Sequence, residues 1–380
     1  MDPSIVFCPT DLCPDKGRVG AGNIRIHSQK QRRYHCATCD KTFVETKGTP
    51  YYRLHKGAWL MTAVLILLAH GCPPQAIVAA FGLDERTVAA WLRRAGAHCA
   101  ALHGHLVEGG QVAAGQVQAD EIRVKVRGGV VWQAMALDGA SRLWLGGAVS
   151  RARDGALVTR ALERVRACVA TRAILLCVDG FAAYVGAARS VFRVPVYTGK
   201  RGRPRLALPE GFLLAQVVKS HKGRRLAEVT RRVVVGTEGA VARVIAATRG
   251  GTQINTAYIE RLNATFRAHL APLVRRGRAI AHGPALVESG MWLVGCAYNF
   301  CWTHESLRLR AIGGRKWHER TPAMAAGLTD HAWTLEEVLR YPVPPHARTA
   351  TTKPRRGRTR DQGRLLPFPA RPAPPTGRAA

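Results

Sequence analysis

Two pairs of cysteines near the start of the chain have the spacing of a metal site. Cys8 and Cys13 form the first pair, Cys36 and Cys39 form the second, and Gly, Arg, Lys and Gln are frequent between them. Each pair can place two thiolates on one short turn, and four thiolates suit one tetrahedral Zn²⁺. Because so short a segment cannot bury a core of its own, the metal would supply most of its folding free energy. We therefore predict a zinc ribbon over residues 1–48, a module that usually holds nucleic acid.

Three acidic residues occupy positions from which they could converge. Asp120 lies in an alternating run that predicts a β-strand, and Asp179 follows a continuously apolar run, residues 173–178, that is typical of a strand buried on both faces. Glu260 lies on a later predicted helix. Three carboxylates around one point repel each other unless cations lie between them. Two Mg²⁺ ions about 4 Å apart would meet that need and would serve phosphoryl transfer.

Neighbouring acidic residues allow other interpretations. Glu121 adjoins Asp120 but should point to the opposite face of the strand, so only one of the two is expected in the cluster. We choose Asp120, although a register shift of one residue would exchange them. Asp138 precedes Gly139 and is expected in a turn, and Asp154 is expected to cap a helix.

The elements that must position these acids follow a recognisable order. Three antiparallel strands (116–126, 130–137 and 143–149) are followed by a helix (154–169), a buried strand (173–178) and a second helix (181–189). A short strand (194–196), an insertion (197–252) and a last helix (255–270) complete the order. This order describes an α/β fold of the ribonuclease H-like type, in which helices flank a mixed sheet. In that topology the first and fourth strands are neighbours. We predict such a catalytic domain over residues 112–310, with a basic insertion at about 197–252, in which a strand pair is expected over residues 226–247.

A helix-turn-helix is predicted between the ribbon and this domain, over residues 55–105. Helices are expected at residues 59–70, 75–81 and 85–95, with Gly82 in the turn and Asp84 as the N-cap of the last helix. That helix would fit the major groove and would present to it three basic residues, Arg86, Arg93 and Arg94. The alternative is a plain three-helix packing unit.

The charge of the chain limits the classes of partner. The sequence has 57 basic and 25 acidic residues and a formal net charge of +32. Such an excess implies a polyanionic partner, most commonly a phosphate backbone.

The most apolar stretch, residues 58–69, is shorter than the roughly 20 residues of a membrane span. The sequence begins without the pattern of a secretory signal, and the other six cysteines are expected to be buried thiols.

Further basic segments lie towards the C-terminus. An Arg-Gly-Arg-Pro core resembles an AT-hook, which would place four basic residues in the minor groove of A·T-rich DNA: Lys200, Arg201, Arg203 and Arg205. An ordinary basic surface loop explains it equally well.

His304 could help to position a phosphate or a water, but we expect it to satisfy a local hydrogen bond. A helical segment is predicted over residues 311–345 and a disordered basic tail over residues 346–380.

One segment resembles a known enzyme family. Residues 255–267, which read NTAYIERLNATFR, look like the glutamate helix of bacterial insertion-sequence transposases of the DDE type. Residues 298–307 and 321–328 resemble the segment that follows that helix and the closing motif of those enzymes. A zinc ribbon followed by a helix-turn-helix is similar to the first-numbered insertion-sequence family. The resemblance extends to about residue 345.

The resemblance implies a function and a set of residues. The catalytic acids of the family fall on Asp120, Asp179 and Glu260, which would hold two Mg²⁺ or Mn²⁺ ions, while Arg261 and Arg267 would contact a DNA strand. Water would free a 3′ hydroxyl at the end of the element, and that hydroxyl would attack target DNA. Because two ends must be joined, a homo-oligomer on double-stranded DNA is expected, in the nucleoid of a prokaryotic cytoplasm. The alternatives are an inactive DNA-binding regulator and a ribonuclease H-like nuclease that cuts without joining.

Overall fold

The computed structural model of the chain describes residues 1–109, 111–197, 199, 202–223, 225–248, 250–274, 280–310 and 316–345. Two residues of the predicted AT-hook, Lys200 and Arg201, lie outside the described residues, as does the predicted tail, residues 346–380. Within the part that is described, no helix is long and apolar enough to cross a membrane.

The N-terminal region is a small antiparallel sheet of three strands, β1 (Ile24–Ser28), β2 (Arg33–Cys36) and β3 (Lys41–Val44). Its apolar interior is limited to a few side chains besides the cysteines, and the rings of Tyr34 and Phe43 pack 5.7 Å apart within it. An interior of this size provides little hydrophobic stabilisation, so another source of folding free energy is needed.

Three helices follow, α1 (Ala58–Ala69), α2 (Pro74–Phe81) and α3 (Glu85–His103). Gly82 adopts a left-handed conformation with φ of 59°, and the Asp84 carboxylate accepts a hydrogen bond from the backbone N–H of Arg86 at 2.7 Å. The glycine turn and the N-cap are therefore as predicted. Helix α3 extends past its predicted end at residue 95, because its second half buries Cys99 and Leu102 in the main core.

A six-stranded mixed sheet forms the centre of the molecule. Its strands are β4 (Gln116–Val126), β5 (Gly129–Asp138), β6 (Trp144–Ser150), β7 (Leu175–Asp179), β10 (Leu213–Lys222) and β11 (Arg225–Val235), in the order β11-β10-β7-β4-β5-β6. Strand β7 runs parallel to both β4 and β10, and the other neighbours are antiparallel. Within the described part of the chain, the short strands β8 (Val194–Val196) and β9 (Arg205–Ala207) pair with each other and with no other strand. The chain is therefore an α/β protein with a mixed sheet.

Helices cover the sheet, and further short elements follow them. They are α4 (Gly155–Cys168), α5 (Ala183–Val191), α6 (Glu238–Thr248), α7 (Ala257–His269), α8 (Pro284–Cys296), α9 (Pro322–Ala325) and α10 (Leu335–Arg340), with a strand pair β12 (Leu309–Arg310) and β13 (Trp317–His318). Asp154 caps α4 by accepting the backbone N–H of Leu157 at 2.9 Å, as expected from the sequence. Asp138 accepts hydrogen bonds from Ser141 within the predicted turn.

One predicted segment folds differently. The strand pair expected over residues 226–247 is wrong: the pair is β10 and β11, and residues 238–248 form α6. Val241 and Ile245, one helical turn apart, are the buried residues of that helix. The segment predicted as an insertion thus contributes two strands to the central sheet, and β10 occupies the place beside β7.

Candidate metal centres and nucleic-acid interface

The four N-terminal cysteines form one cluster. The Sγ atoms of Cys8 and Cys39 are 3.6 Å apart, those of Cys13 and Cys36 are 3.8 Å apart, and all four lie within 4.8 Å of one another. With Zn–S bonds of about 2.3 Å, the sulfurs of a tetrahedral zinc site are about 3.8 Å apart. The predicted ligands therefore already have the spacing that Zn²⁺ requires.

The surroundings of Cys36 and Cys13 shift the pKa of the two thiols in opposite directions. Burial alone would raise the pKa of Cys36, but hydrogen bonds from the backbone N–H groups of Cys39 and Thr38, together with those of the Cys8 and Cys39 thiols, lower that pKa to about 7. Burial raises the pKa of Cys13 to about 12. A bound cation would stabilise the thiolate of Cys13, which burial otherwise opposes.

Two of the predicted acids, Asp120 and Asp179, meet at the centre of the sheet together with Glu121. Their carboxylate oxygens lie within 4.8 Å of one another. Strand β7 ends at Asp179 while β4 and β10 continue, so that β4 has no paired strand on its β7 side beyond that point. The prediction that only one of Asp120 and Glu121 could join the cluster is therefore wrong, because alternation along β4 does not separate two side chains that meet beyond the end of a neighbouring strand.

The clustering of these acids changes their ionisation. Burial raises the pKa of Asp120 to about 7, and the charges of Glu121, Asp179 and Glu260 act in the same direction. Burial also raises the pKa of Glu121, whose side chain is fully buried. A divalent cation among the oxygens would offset this repulsion, and hard oxygen ligands of this kind are those that Mg²⁺ and Mn²⁺ prefer.

An arginine that the sequence did not indicate binds this cluster. Nη2 of Arg153 donates to Glu121 Oε2 at 2.9 Å and to Asp179 Oδ2 at 3.3 Å. Its guanidinium also lies over the rings of Phe181, at 4.3 Å, and Trp132, at 5.1 Å. Arg153 thus balances part of the negative charge. Its position directly before the N-cap of α4 gives no local signal of this role.

Helix α7 is attached to the central strand by one buried glutamine. The Gln118 side chain accepts hydrogen bonds from the backbone N–H groups of Tyr258 and Ile259, each at 3.0 Å, and donates to Asn255 Oδ1 at 3.0 Å. Two positions along β4, Asp120 Oδ2 accepts a hydrogen bond from Asn263 at 2.8 Å. The first turns of α7 therefore lie directly over Asp120.

Glu260 lies close to the acid cluster but outside the group of three. Its carboxylate accepts hydrogen bonds from Lys219 Nζ at 2.5 Å and from Thr256 Oγ1 at 2.9 Å. It lies one helical turn before Asn263, and its charge contributes to the raised pKa of Asp120. The three predicted acids are thus neighbours, with Glu260 held by a lysine of β10.

The predicted DNA-contacting residues differ in their surroundings. Arg86 and Arg93 are exposed on α3, whereas Arg94 is half-buried and donates to the backbone carbonyl of Tyr52, so that it connects α3 to the preceding loop. Arg261 is exposed on α7 and Arg267 is half-buried there. The remaining described pair, Arg203 and Arg205, is exposed near β9.

Comparison with known proteins adds no assignment. The chain matches no protein-family model, and no curated protein has a significant sequence match to it. Within the described residues, two groups of side chains could hold a metal ion: the four cysteines, and Asp120 with Glu121 and Asp179. The chemistry of the chain therefore has to follow from these two groups and from its net charge of +32.

Proposed function

We propose that this chain is a DDE-type transposase that cleaves the ends of an insertion sequence and joins them to target DNA. The observation that carries the proposal is the meeting of Asp120 and Asp179 at the end of the short central strand, under a helix that carries Glu260. Carboxylates from separate strands and a helix suit two hard divalent ions, and such a pair suits phosphoryl transfer.

The strand order supports a ribonuclease H-like catalytic domain. Strands β4, β5 and β6 form an antiparallel set, and β7, the fourth strand of the domain, lies beside β4 and parallel to it. This adjacency is what that topology requires of the first and fourth strands. It brings the aspartate at the end of β7 close to the aspartate in the middle of β4.

The residues of the centre have separable tasks in this proposal. Asp120, Asp179 and Glu260 would hold Mg²⁺ or Mn²⁺, which supplies activation of the attacking oxygen and stabilisation of the leaving one. Asn263 orients the carboxylate of Asp120, and Gln118 fixes the helix that carries Glu260. Glu121 is a further candidate metal ligand, because its carboxylate lies closer to those of Asp120 and Asp179 than the sequence indicated.

Double-stranded DNA is the proposed partner of the N-terminal modules. The net charge of +32, the cysteine cluster and the two exposed arginines on α3 support this part of the proposal. A homo-oligomer follows from the need to join two DNA ends. Nucleoid association would follow from the same affinity for DNA.

Substitution of the acids tests the reaction. With duplexes carrying the inverted repeats that flank the coding region, Asp179→Asn and Glu260→Gln should abolish Mg²⁺-dependent cleavage and strand transfer and leave end binding intact. Glu163→Gln, at an exposed position of α4, is the matched control. Glu121→Gln measures how much Glu121 contributes to cleavage and strand transfer. Retained strand transfer in the Asp179 or Glu260 variant would refute the assignment. Nicking without joining would favour a nuclease, and binding without Mg²⁺-dependent nicking would favour a regulator.

A further inference from the structure

The turn between β5 and β6 holds an arginine in an uncommon conformation. Arg142 has φ of 62°, in the left-handed region that residues other than glycine seldom adopt. Asp138 Oδ2 accepts hydrogen bonds from the backbone N–H and the hydroxyl of Ser141, at 2.8 and 2.6 Å, and Ser141 Oγ accepts the backbone N–H of Leu143 at 3.3 Å. The backbone on both sides of Arg142 is thus fixed, and a strained residue held in this way is typical of functional sites.

The guanidinium of Arg142 lies against helix α7. Its Cζ is 3.3 Å from the centre of the Tyr258 ring, and its Nη1 is buried without a hydrogen-bond partner. Tyr258 is one helical turn before Arg261. Among the described residues, neither arginine forms an ion pair with a carboxylate, although Arg153 and Lys219 nearby both do. The Nη1 group of Arg142 is thus a buried donor without an acceptor among the described residues, which is costly, and an oxygen of a bound ligand would satisfy it.

A histidine, His304, lies within range of the charges of both arginines. Nε2 of His304 is buried without a hydrogen-bond partner, and its ring packs edge-to-face against Tyr298 at 4.6 Å. Burial, together with the positive charges of Arg142 and Arg261, lowers the pKa of His304 to about 4. The same two charges act on the hydroxyl of Tyr298. His304 was expected to satisfy a local hydrogen bond, and its Nε2 does not make one.

We propose that Arg142, Arg261 and His304 form a binding site for a phosphate group of a DNA strand, beside the carboxylate cluster. Arginine presents a planar fork of N–H donors that matches phosphate oxygens, and one dianion or phosphodiester between two arginines would offset their mutual repulsion. Arg261 directly follows Glu260 in α7, so a phosphate held by this site would belong to the strand that passes the metal centre. The identity of the ligand as DNA rests on the proposed function, whereas the affinity for phosphate does not.

Histidine NMR of the whole chain tests the site with inorganic phosphate as the probe. In the native protein, phosphate should shift the imidazole ¹⁵N resonances of His304 saturably and raise its pKa, because a bound anion offsets the charges of the two arginines. His103, fully buried among Trp144 and Trp292, is the internal control and should not respond. In Arg142→Ala/Arg261→Ala the shift should be lost, and Arg142→Lys should retain part of it. An unchanged His304 resonance in the native protein, or an equal shift in the double variant, would overturn the site.

Salt dependence of binding to a short random-sequence duplex tests the DNA ligand. Without Mg²⁺, Arg142→Ala should reduce the slope of log K against log salt by about 1, the value for one lost phosphate contact, and should weaken binding severalfold. Arg189→Ala, at an exposed position at the end of α5, is the matched control and should keep the native slope. A native slope in Arg142→Ala would reject DNA as the ligand. Because neither measurement requires catalysis, these results do not depend on the activity of the Asp179 and Glu260 variants.

Discussion

The two candidate metal-binding groups of this chain are built in opposite ways. The cysteine cluster comes from one short stretch, with sulfur atoms already spaced for Zn²⁺ and only a small apolar interior around them. The carboxylate cluster comes from distant strands and lies on a large core, with Arg153 and Asn263 bound to its oxygens. A metal in the first group would be part of the fold, whereas any metal of the second would bind to a fold that is already complete.

Removal of zinc should have the largest effect, which is the unfolding of the N-terminal sheet. A structural Zn²⁺ contributes on the order of 10 kcal/mol to the folding of a small module, so a strong chelator or Cys36→Ser should unfold the N-terminal sheet. Hydrogen exchange should show loss of protection over residues 24–44 and unchanged protection over β4–β7. Asp179→Asn is the control, because it should leave both regions folded. Retained protection of the small sheet after zinc loss would remove the contrast between the two groups.

The pH dependence of Mn²⁺ binding should further distinguish the carboxylate cluster from the cysteine cluster. The pKa of Asp120 is raised to about 7, so below pH 7 a proton must leave before the metal binds. Affinity at the carboxylate cluster should fall by about tenfold for each pH unit below 7 and level off above it. Calorimetry of the zinc-loaded protein from pH 5.5 to 8 measures this, with Asp120→Asn as the variant that should bind Mn²⁺ more weakly and without this dependence. A flat profile would contradict the protonated state of Asp120.

A smaller effect is expected from the arginine bound to the acids. Arg153 neutralises Glu121 and Asp179 in the absence of metal, so Arg153→Met should raise the affinity for Mn²⁺ severalfold. Arg160→Met is the matched control, because Arg160 lies on α4 and bonds to the backbone carbonyl of Val149 instead. Weaker Mn²⁺ binding in Arg153→Met would show that the arginine holds the acids in place for the metal and does not compete with it.

Local patterns predicted the parts of these groups that depend on local structure. Cysteine spacing identified all four sulfur ligands, and the apolar run before Asp179 identified a buried parallel strand. The inclusion of Glu121 was missed, because alternation describes a strand with neighbours on both sides and not one beyond the end of its neighbour. Gln118 and Arg153 were missed because their partners are far away in the sequence and the residues themselves have no distinctive spacing.

The misassigned segment has a related cause. An apolar run from Leu213 was not recognised as a sheet strand, because the basic residues around it suggested a surface insertion. Its parallel pairing with β7 depends on contacts across the sheet. Charge composition describes where a segment meets solvent, and it does not determine which strands pair.

The amide at position 118 limits how this protein can change. Glutamate there would remove the donor to Asn255 and add a negative charge near Asp120, and leucine would leave two backbone N–H groups of α7 without an acceptor. Much of the sheet can accept other apolar residues of similar volume, since packing tolerates such exchanges. Distant relatives of this chain should therefore keep an amide of this length two positions before the first aspartate, and that amide would help to recognise them where the acids alone are ambiguous.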